Sequence, residues 1–468
     1  MRTHSLLRGA VAAVLPAVLL TGCAVSITGF ASPGADVPTD VSVEEQPIAG
    51  AVPGNPVDDA ARDAFADLAV YWEQTFPETF GAPWVPLAGT LNSVDPGNAD
   101  PADYPEGLTC GLGVQEVAEN AYYCGEPDFP NSDGITYDRA FMGELAEDYG
   151  QYLPSMVMAH EYGQAVQARF RGSPQASINA ETQADCFAGS FSRWVIDGNA
   201  THTSLRSPEL DRALQGFLLI RDPVGTDPRE QGAHGSFFDR VSGFQEGYDG
   251  GAEACRDAFG DGERVFTQAS FSDEDLAQQD PGNLQYAQTV DFSTESLDFF
   301  WTAAFDDVFG VNFAAPTATA FDGRAPDCGE LGEDDLDLGW CADDQTVYYD
   351  ETDLTLPAHD LGDFAVATAI SLPYAQAARD QLGLSGDGDE AARSTVCLSG
   401  WYAAQLFNGQ QAPDRILSAG DLDEAISFLL AYGRDASVLP DIKLSGFELV
   451  DTYRTGFFQG AVACDVGL

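Results

Sequence analysis

The chain has 468 residues, 44% of them hydrophobic and 11% aromatic, which is enough apolar surface for a sizeable core and excludes an intrinsically disordered protein. Its 75 Asp and Glu against 21 Lys and Arg give a net charge of −54, which argues against a nucleic-acid binder because such a surface repels phosphate backbones. It repels anionic lipid headgroups as well, so any hold on a membrane must come from elsewhere than the surface.

Residues 1–23, "MRTHSLLRGAVAAVLPAVLLTGC", begin basic at Arg2 and Arg8, run apolar, and end in small residues, the layout of a secretory signal. The final Leu20-Thr21-Gly22-Cys23 resembles a bacterial lipobox, which implies cleavage before Cys23 and lipid attachment to it. An ordinary signal or an uncleaved anchor is the alternative. The lipobox predicts a protein at the cell membrane, lipid-anchored and facing the extracytoplasmic side, with the acyl chains as its contact with the bilayer. No later segment is apolar enough to span a membrane. Residues 24–58 are rich in Pro, Gly, Val and acid without periodicity, and are expected to be a flexible tether.

Beyond the tether, the segments around Trp72, Met156, Ala184, Leu214 and Phe244 carry apolar residues at spacings of three and four, which predicts helices. Short strands are expected at "GITYD" and "TVYYD". The fold class is α+β, mainly helical, with a small sheet in each of two units.

Two units are expected because the chain repeats itself. "YWEQTFPETFGAPW" parallels "FWTAAFDDVFGVNF", with Trp72 on Trp301. "DYGQYLPSMVMAHEYGQAVQARF" parallels "DLGDFAVATAISLPYAQAARDQL", with Tyr162 on Tyr374 and Gln164 on Gln376. "QADCFAGSFSRW" meets "STVCLSGWYAAQ", "SPELDRALQGFLL" meets "AGDLDEAISFLLA", and "RVSGFQEGYDGGAEAC" meets "LVDTYRTGFFQGAVAC". The matches keep their order, which chance similarity between amphipathic helices does not do. This predicts a first domain at 59–260, a linker at 261–284 and a second domain at 285–468. Setting Cys23 aside, each copy holds four cysteines: Cys110, Cys124, Cys186 and Cys255, then Cys328, Cys341, Cys397 and Cys464. An even number in an exported chain favours disulfides. Equivalent pairing in the two copies would be Cys110–Cys124 with Cys328–Cys341, and Cys186–Cys255 with Cys397–Cys464, although sequence alone does not fix connectivity.

The chemistry-bearing stretch is "AHEYGQAVQ". His160 and Glu161 stand side by side in an apolar helical segment, and residue 164 lies one turn on from His160 on the same face. Two imidazoles at that spacing hold zinc, and a Glu beside the first takes a proton from metal-bound water. Residue 164, however, is a Gln. "ETQADC" follows, with Glu181 and, four residues later, Asp185. A Glu with an Asp four residues later resembles the third-ligand helix of the Glu-type zincins, in which the Glu binds metal and the Asp orients a ligand imidazole. Of the other histidines, His4 leaves with the signal, His202 sits in a polar loop, His234 suits a structural role and His359 matches no ligand position.

These blocks, together with "HGSFFDRVSGFQEGYDGGAEAC", resemble a bacterial family of neutral zinc metallopeptidases of the HExxH, zincin-like kind, in its lipid-anchored actinobacterial form. The resemblance covers about residues 65–255. It implies zinc as cofactor, with His160 as first ligand, Glu161 as general base, Glu181 as third ligand and Asp185 as orienting partner. The family's second ligand His is Gln164 here, and a neutral amide oxygen is a poor donor to zinc. The second copy has Leu372-Pro373 where the first has His160-Glu161, and Arg393 and Val396 or neighbouring residues near the positions of Glu181 and Asp185.

Two readings follow. In one the chain is a peptidase-like pseudoenzyme at the cell envelope, with impaired or lost catalysis and a binding or scaffold role toward an envelope protein or peptide. In the other it is an active zinc peptidase using His160, Glu181 and a substitute ligand, with Glu161 as base. A transporter's substrate-binding lipoprotein is a poor match, since neither copy reads as a paired α/β lobe.

Overall fold

The computed structural model describes residues 47–170, 177–259, 264–384, 388–410 and 417–468. The signal, Cys23 and residues 24–46 of the expected tether lie outside them.

The first half runs β1 (Ile48–Ala49), α1 (Pro56–Phe80), β2 (Leu91–Val94), β3 (Ala121–Cys124), β4 (Gly134–Asp138), α2 (Arg139–Tyr149), α3 (Tyr152–Gln167), α4 (Ser177–Ile196), α5 (Ser207–Phe217) and α6 (Phe237–Ala258). The second runs α7 (Tyr286–Ala304), β5 (Thr317–Phe321), α8 (Glu330–Glu333), β6 (Leu338–Cys341), β7 (Thr346–Asp350), α9 (Leu356–His359), α10 (Asp363–Gln381), α11 (Gly388–Phe407), α12 (Asp421–Tyr432) and α13 (Gly446–Gln459). The protein is therefore α+β and mainly helical. Its two small mixed sheets have the orders β1-β2-β4-β3 and β5-β7-β6. In each, one neighbour of the central strand is parallel and the other, β3 or β6, is an antiparallel edge. "GITYD" and "TVYYD" are those central strands, β4 and β7.

The tether ends earlier than expected. Ile48 and Ala49 pair with β2, and α1 starts at Pro56. The local signal is Asn55-Pro56: the Asn55 side chain accepts from the backbone N–H of Val57 and Asp58, and Pro56 needs no N–H partner in the first turn. Asp58, expected at the end of the tether, is fully buried, accepting from the hydroxyls of Ser93 and Tyr137 and from the N–H of Val52. The linker also packs where it is described. Thr267 and Gln268 donate their backbone N–H groups to the buried carboxylate of Asp239 in α6.

Helix α3 is buried along its whole length, against α1, α2, α4, α5 and β3. Beside it α4 and α6 cross so closely that a Cβ on Gly189 would lie 1.9 Å from the Phe244 carbonyl oxygen, and one on Gly247 1.7 Å from that of Cys186. The same crossing recurs in the second half, where Gly400 faces Tyr453 at 1.9 Å and Gly456 faces Cys397 at 1.8 Å. Gly247→Ala is therefore expected to force the helices apart. Its overpacking cost of about 1–3 kcal/mol outweighs the ~1 kcal/mol gained in helix propensity, and the midpoint of chemical denaturation should fall. An unchanged midpoint would mean the crossing is looser than this.

Disulfides tie both crossings, Cys186–Cys255 and Cys397–Cys464, and two local ones, Cys110–Cys124 and Cys328–Cys341, brace the loops before the sheets. This is the pairing that the repeat implied, and four disulfides are the usage of a protein that folds outside the reducing cytoplasm. No described helix is long and apolar enough to cross a membrane.

The halves meet reciprocally. Asp211 of α5 accepts from the N–H groups of Gly446 and Phe447 at the start of α13. Asp423 of α12 accepts from those of Phe237 and Phe238 at the start of α6. Each of these aspartates also takes an arginine, Arg434 on Asp211 and Arg221 on Asp423. Aromatic contacts repeat the exchange, with Phe238 on Phe457 at 4.9 Å between ring centroids and Phe447 on Tyr248 at 4.7 Å.

Candidate functional site

The helical register of α3 sets His160 and Gln164 one above the other, toward α4. The chain then reverses, and α4 returns beside α3 with Glu181 and Asp185 facing it. His160 Nε2 lies 3.1 Å from Glu181 Oε2, and His160 Nδ1 lies 2.7 Å from Asp185 Oδ1. The expected ligand, third ligand and orienting carboxylate are thus brought together. Gln164 joins them: its Nε2 is 3.2 Å from both Glu181 carboxylate oxygens and 3.3 Å from His160 Nε2.

Arg240 of α6 completes the cluster. Its Nε and Nη2 both donate to Asp185 at 2.8 Å, its Nη1 donates to the Ile220 carbonyl, and its guanidinium lies 5.0 Å from the centre of the Phe217 ring. Its only signal in the sequence is the Arg-Val pair of the third block, to which the sequence attached no role. Glu161 points the other way, to the sheet. Its Oε2 accepts from the backbone N–H of Tyr123 in edge strand β3 at 2.7 Å.

All of these groups are shut in. His160, Glu161, Gln164, Glu181 and Asp185 are each at most 4% exposed. Burial alone would push the imidazole of His160 down, but the charge and hydrogen bond of Asp185, then the contacts with Glu181 and Glu161, raise it to about 10. Burial opposes ionisation of Asp185, yet Arg240 and His160 outweigh it and hold that carboxyl below its ordinary value. Glu161 goes up to about 8, chiefly through burial, with the charge of His160 working against the rise and that of Glu181 adding to it. At neutral pH the imidazolium and guanidinium therefore flank the Asp185 carboxylate, while Glu161 is protonated.

As they stand, these residues do not fit a zinc ion. Zinc needs lone pairs converging from three or four sides. Here an amide NH2 stands between His160 and Glu181 and donates to the carboxylate oxygens that a metal would take. The Gln164 oxygen, which a metal could use, is turned away, buried and without a partner. Turning the amide over would set that oxygen 3.2 Å from both Glu181 carboxylate oxygens, an acceptor-to-acceptor contact. Of the other described histidines, His234 is held by Asp222 at 3.1 Å, His359 Nε2 donates to the Leu284 carbonyl, and His202 is exposed.

In the second half, Leu372 and Pro373 are buried in α10 at the positions of His160 and Glu161. The cysteine-anchored offset puts Ala392 and Val396, both apolar and buried, at the positions of Glu181 and Asp185, and Arg393 turns to Glu448 instead. Gln376, the counterpart of Gln164, accepts from the Trp340 N–H in edge strand β6 at 3.1 Å. In both halves, then, a side chain of the central helix takes an edge-strand N–H, through Glu161 in one and Gln376 in the other.

No protein-family model matches the chain, and comparison with curated proteins and with solved structures finds no match either.

Proposed function

We propose that the chain is a cell-envelope pseudoenzyme made of two copies of a zinc-metallopeptidase-like unit, and that it acts by binding or scaffolding and not by hydrolysis. The first copy keeps His160, Glu181 and Asp185 but has Gln164 at the second ligand position, and the second copy has apolar side chains at the positions of those first three. The lipobox at Cys23 supports anchorage to the membrane, with an envelope protein or peptide as partner. One observation carries the reading: the Gln164 amide nitrogen donates to both carboxylate oxygens of Glu181 at 3.2 Å, occupying with a donor the acceptor that would otherwise bind metal. A second supports it. Glu161, the expected base, is closed off from solvent and holds an edge-strand N–H, a role that Gln376 fills in a half that is apolar at the positions of His160 and Glu181.

Metal analysis tests this directly. Protein purified without chelator and exposed to equimolar zinc is expected to retain far less than one zinc per chain after dialysis. Its thermal midpoint should be the same with and without a zinc chelator, because only a ligand bound to the folded state raises stability. Stoichiometric zinc that is lost in Glu181→Ala, together with zinc-dependent cleavage of a peptide, would overturn the reading in favour of an active peptidase.

A further inference from the structure

Away from the first-half cluster, three carboxyls of the second half meet where α10 and α12 begin. One oxygen from each of Asp363, Asp421 and Glu424 lies within 4.8 Å of the other two. Each carboxyl has one oxygen on a backbone N–H: Asp363 Oδ2 on Leu284 at 2.9 Å, Asp421 Oδ2 on Ser418 at 2.8 Å, and Glu424 Oε2 on Phe364 at 2.8 Å. Those contacts account for half of the set. Asp363 Oδ1 and Asp421 Oδ1 are buried and have no partner, on side chains 7% and 6% exposed. Unpaired carboxylate oxygens held out of water are costly unless a positive charge balances them.

The first half shows what is missing. At the same offset of 212 residues, Gln151, Glu209 and Arg212 stand in place of Asp363, Asp421 and Glu424. A Cβ on Gly150 would lie 3.8 Å from the Arg212 guanidinium carbon, and one on the matching Gly362 would run into the Glu424 carboxyl. Where the first half supplies a covalent cation, the second has a third acid. Nearby basic side chains are engaged elsewhere, Arg221 on Asp423 and the His359 ring on the Leu284 carbonyl.

We propose that Asp363, Asp421 and Glu424 bind a divalent cation of the calcium class, which joins the first turns of α10 and α12 to the segment at Leu284. The oxygen-only donor set suits a hard cation. Calcium holds its ligands at about 2.3–2.6 Å, so oxygens sharing one ion lie up to about 5 Å apart, as these do. Asp363 and Asp421 line a cavity of about 700 Å³, and Glu424 lines a second of about 340 Å³. The cluster thus has a path for entry and room for the waters that complete the coordination. Without a cation the three carboxyls resist ionisation. Burial raises Asp363 to about 6 against the N–H of Leu284, and burial and then the charge of Asp363 raise Asp421 and Glu424 well above the ordinary carboxyl range.

The test uses the full chain and calcium alone. Equilibrium dialysis with a metal count is expected to show one more calcium per chain in the unaltered protein than in Asp421→Asn or in Glu424→Arg, the latter copying the first half. Thermal unfolding in millimolar calcium should shift up by about 3 °C relative to EGTA in the unaltered protein and not in either variant. In EGTA both variants should melt at or above the unaltered protein, because each removes an uncompensated acid. Calcium uptake or a thermal shift that survives in both variants would trace to the −54 surface and overturn the proposal. No uptake by the unaltered protein would overturn it too, leaving the three carboxyls to share protons.

Discussion

Arg240→Leu is expected to lower the stability of the protein by about 3–5 kcal/mol, the cost of removing one partner from a buried ion pair. Arg240 and Asp185 are 1% and 0% exposed, so the substitution leaves a carboxylate out of water with only His160 beside it. It also orphans the Ile220 carbonyl that Arg240 Nη1 holds. Adding Asp185→Asn to Arg240→Leu should recover about 1–3 kcal/mol, because the stranded charge goes while an acceptor for His160 stays. Denaturant titration of the two single variants and the double reads this as a cycle. A loss below about 1 kcal/mol for Arg240→Leu would put the pair in the class of solvated surface bridges, and the buried pairing of Arg240 with Asp185 would be wrong.

Gln164→His should raise zinc affinity by at least about 100-fold, since a restored direct ligand ought to exceed the ~10–100-fold attached to an outer partner. The helix already holds the geometry: position 164 lies within 3.3 Å of both His160 and Glu181 through its present amide. The metal has to displace a proton from His160, whose pKa is raised, so affinity should climb with pH and zinc uptake should release protons. Peptide hydrolysis is not expected to return with the metal, because Glu161 remains on the Tyr123 N–H and out of solvent. Calorimetry in two buffers and a fluorogenic peptide assay read the two effects separately. An unchanged zinc affinity would mean that the helix face is misassigned. Peptidase activity on substitution would mean that Gln164 alone silences the site.

Much of this architecture could be read from local pattern. Helices α1, α3, α4, α5 and α6 follow from three-and-four spacing, because burial of one face sets that period. The disulfide pairs followed from treating the second half as an echo of the first. His160, Glu181 and Asp185 were legible as a group because their spacing allows a helix pair to bring them face to face. What escaped has a common cause. Arg240 reaches Asp185 across 55 residues, and Asp423 caps α6 across 186, and neither contact leaves a mark in the local period. The end of the tether was different: Asn55-Pro56 is a local helix-start signal, overlooked because the surrounding stretch is rich in Pro, Gly and acid. The acidic group at Asp363, Asp421 and Glu424 was invisible among 75 acids until folding joined two helix starts.

The exchanged aspartates also bear on how the molecule is made. A chain appears N-terminus first, so the start of α6 exists well before Asp423 does. As the chain emerges outside the cytoplasm, the amides of Phe237 and Phe238 wait for a carboxylate that lies 186 residues further on. The N-terminal half is thus a nascent body with an open seam, and only the arrival of its twin, whose α13 needs Asp211 in turn, seals both at once.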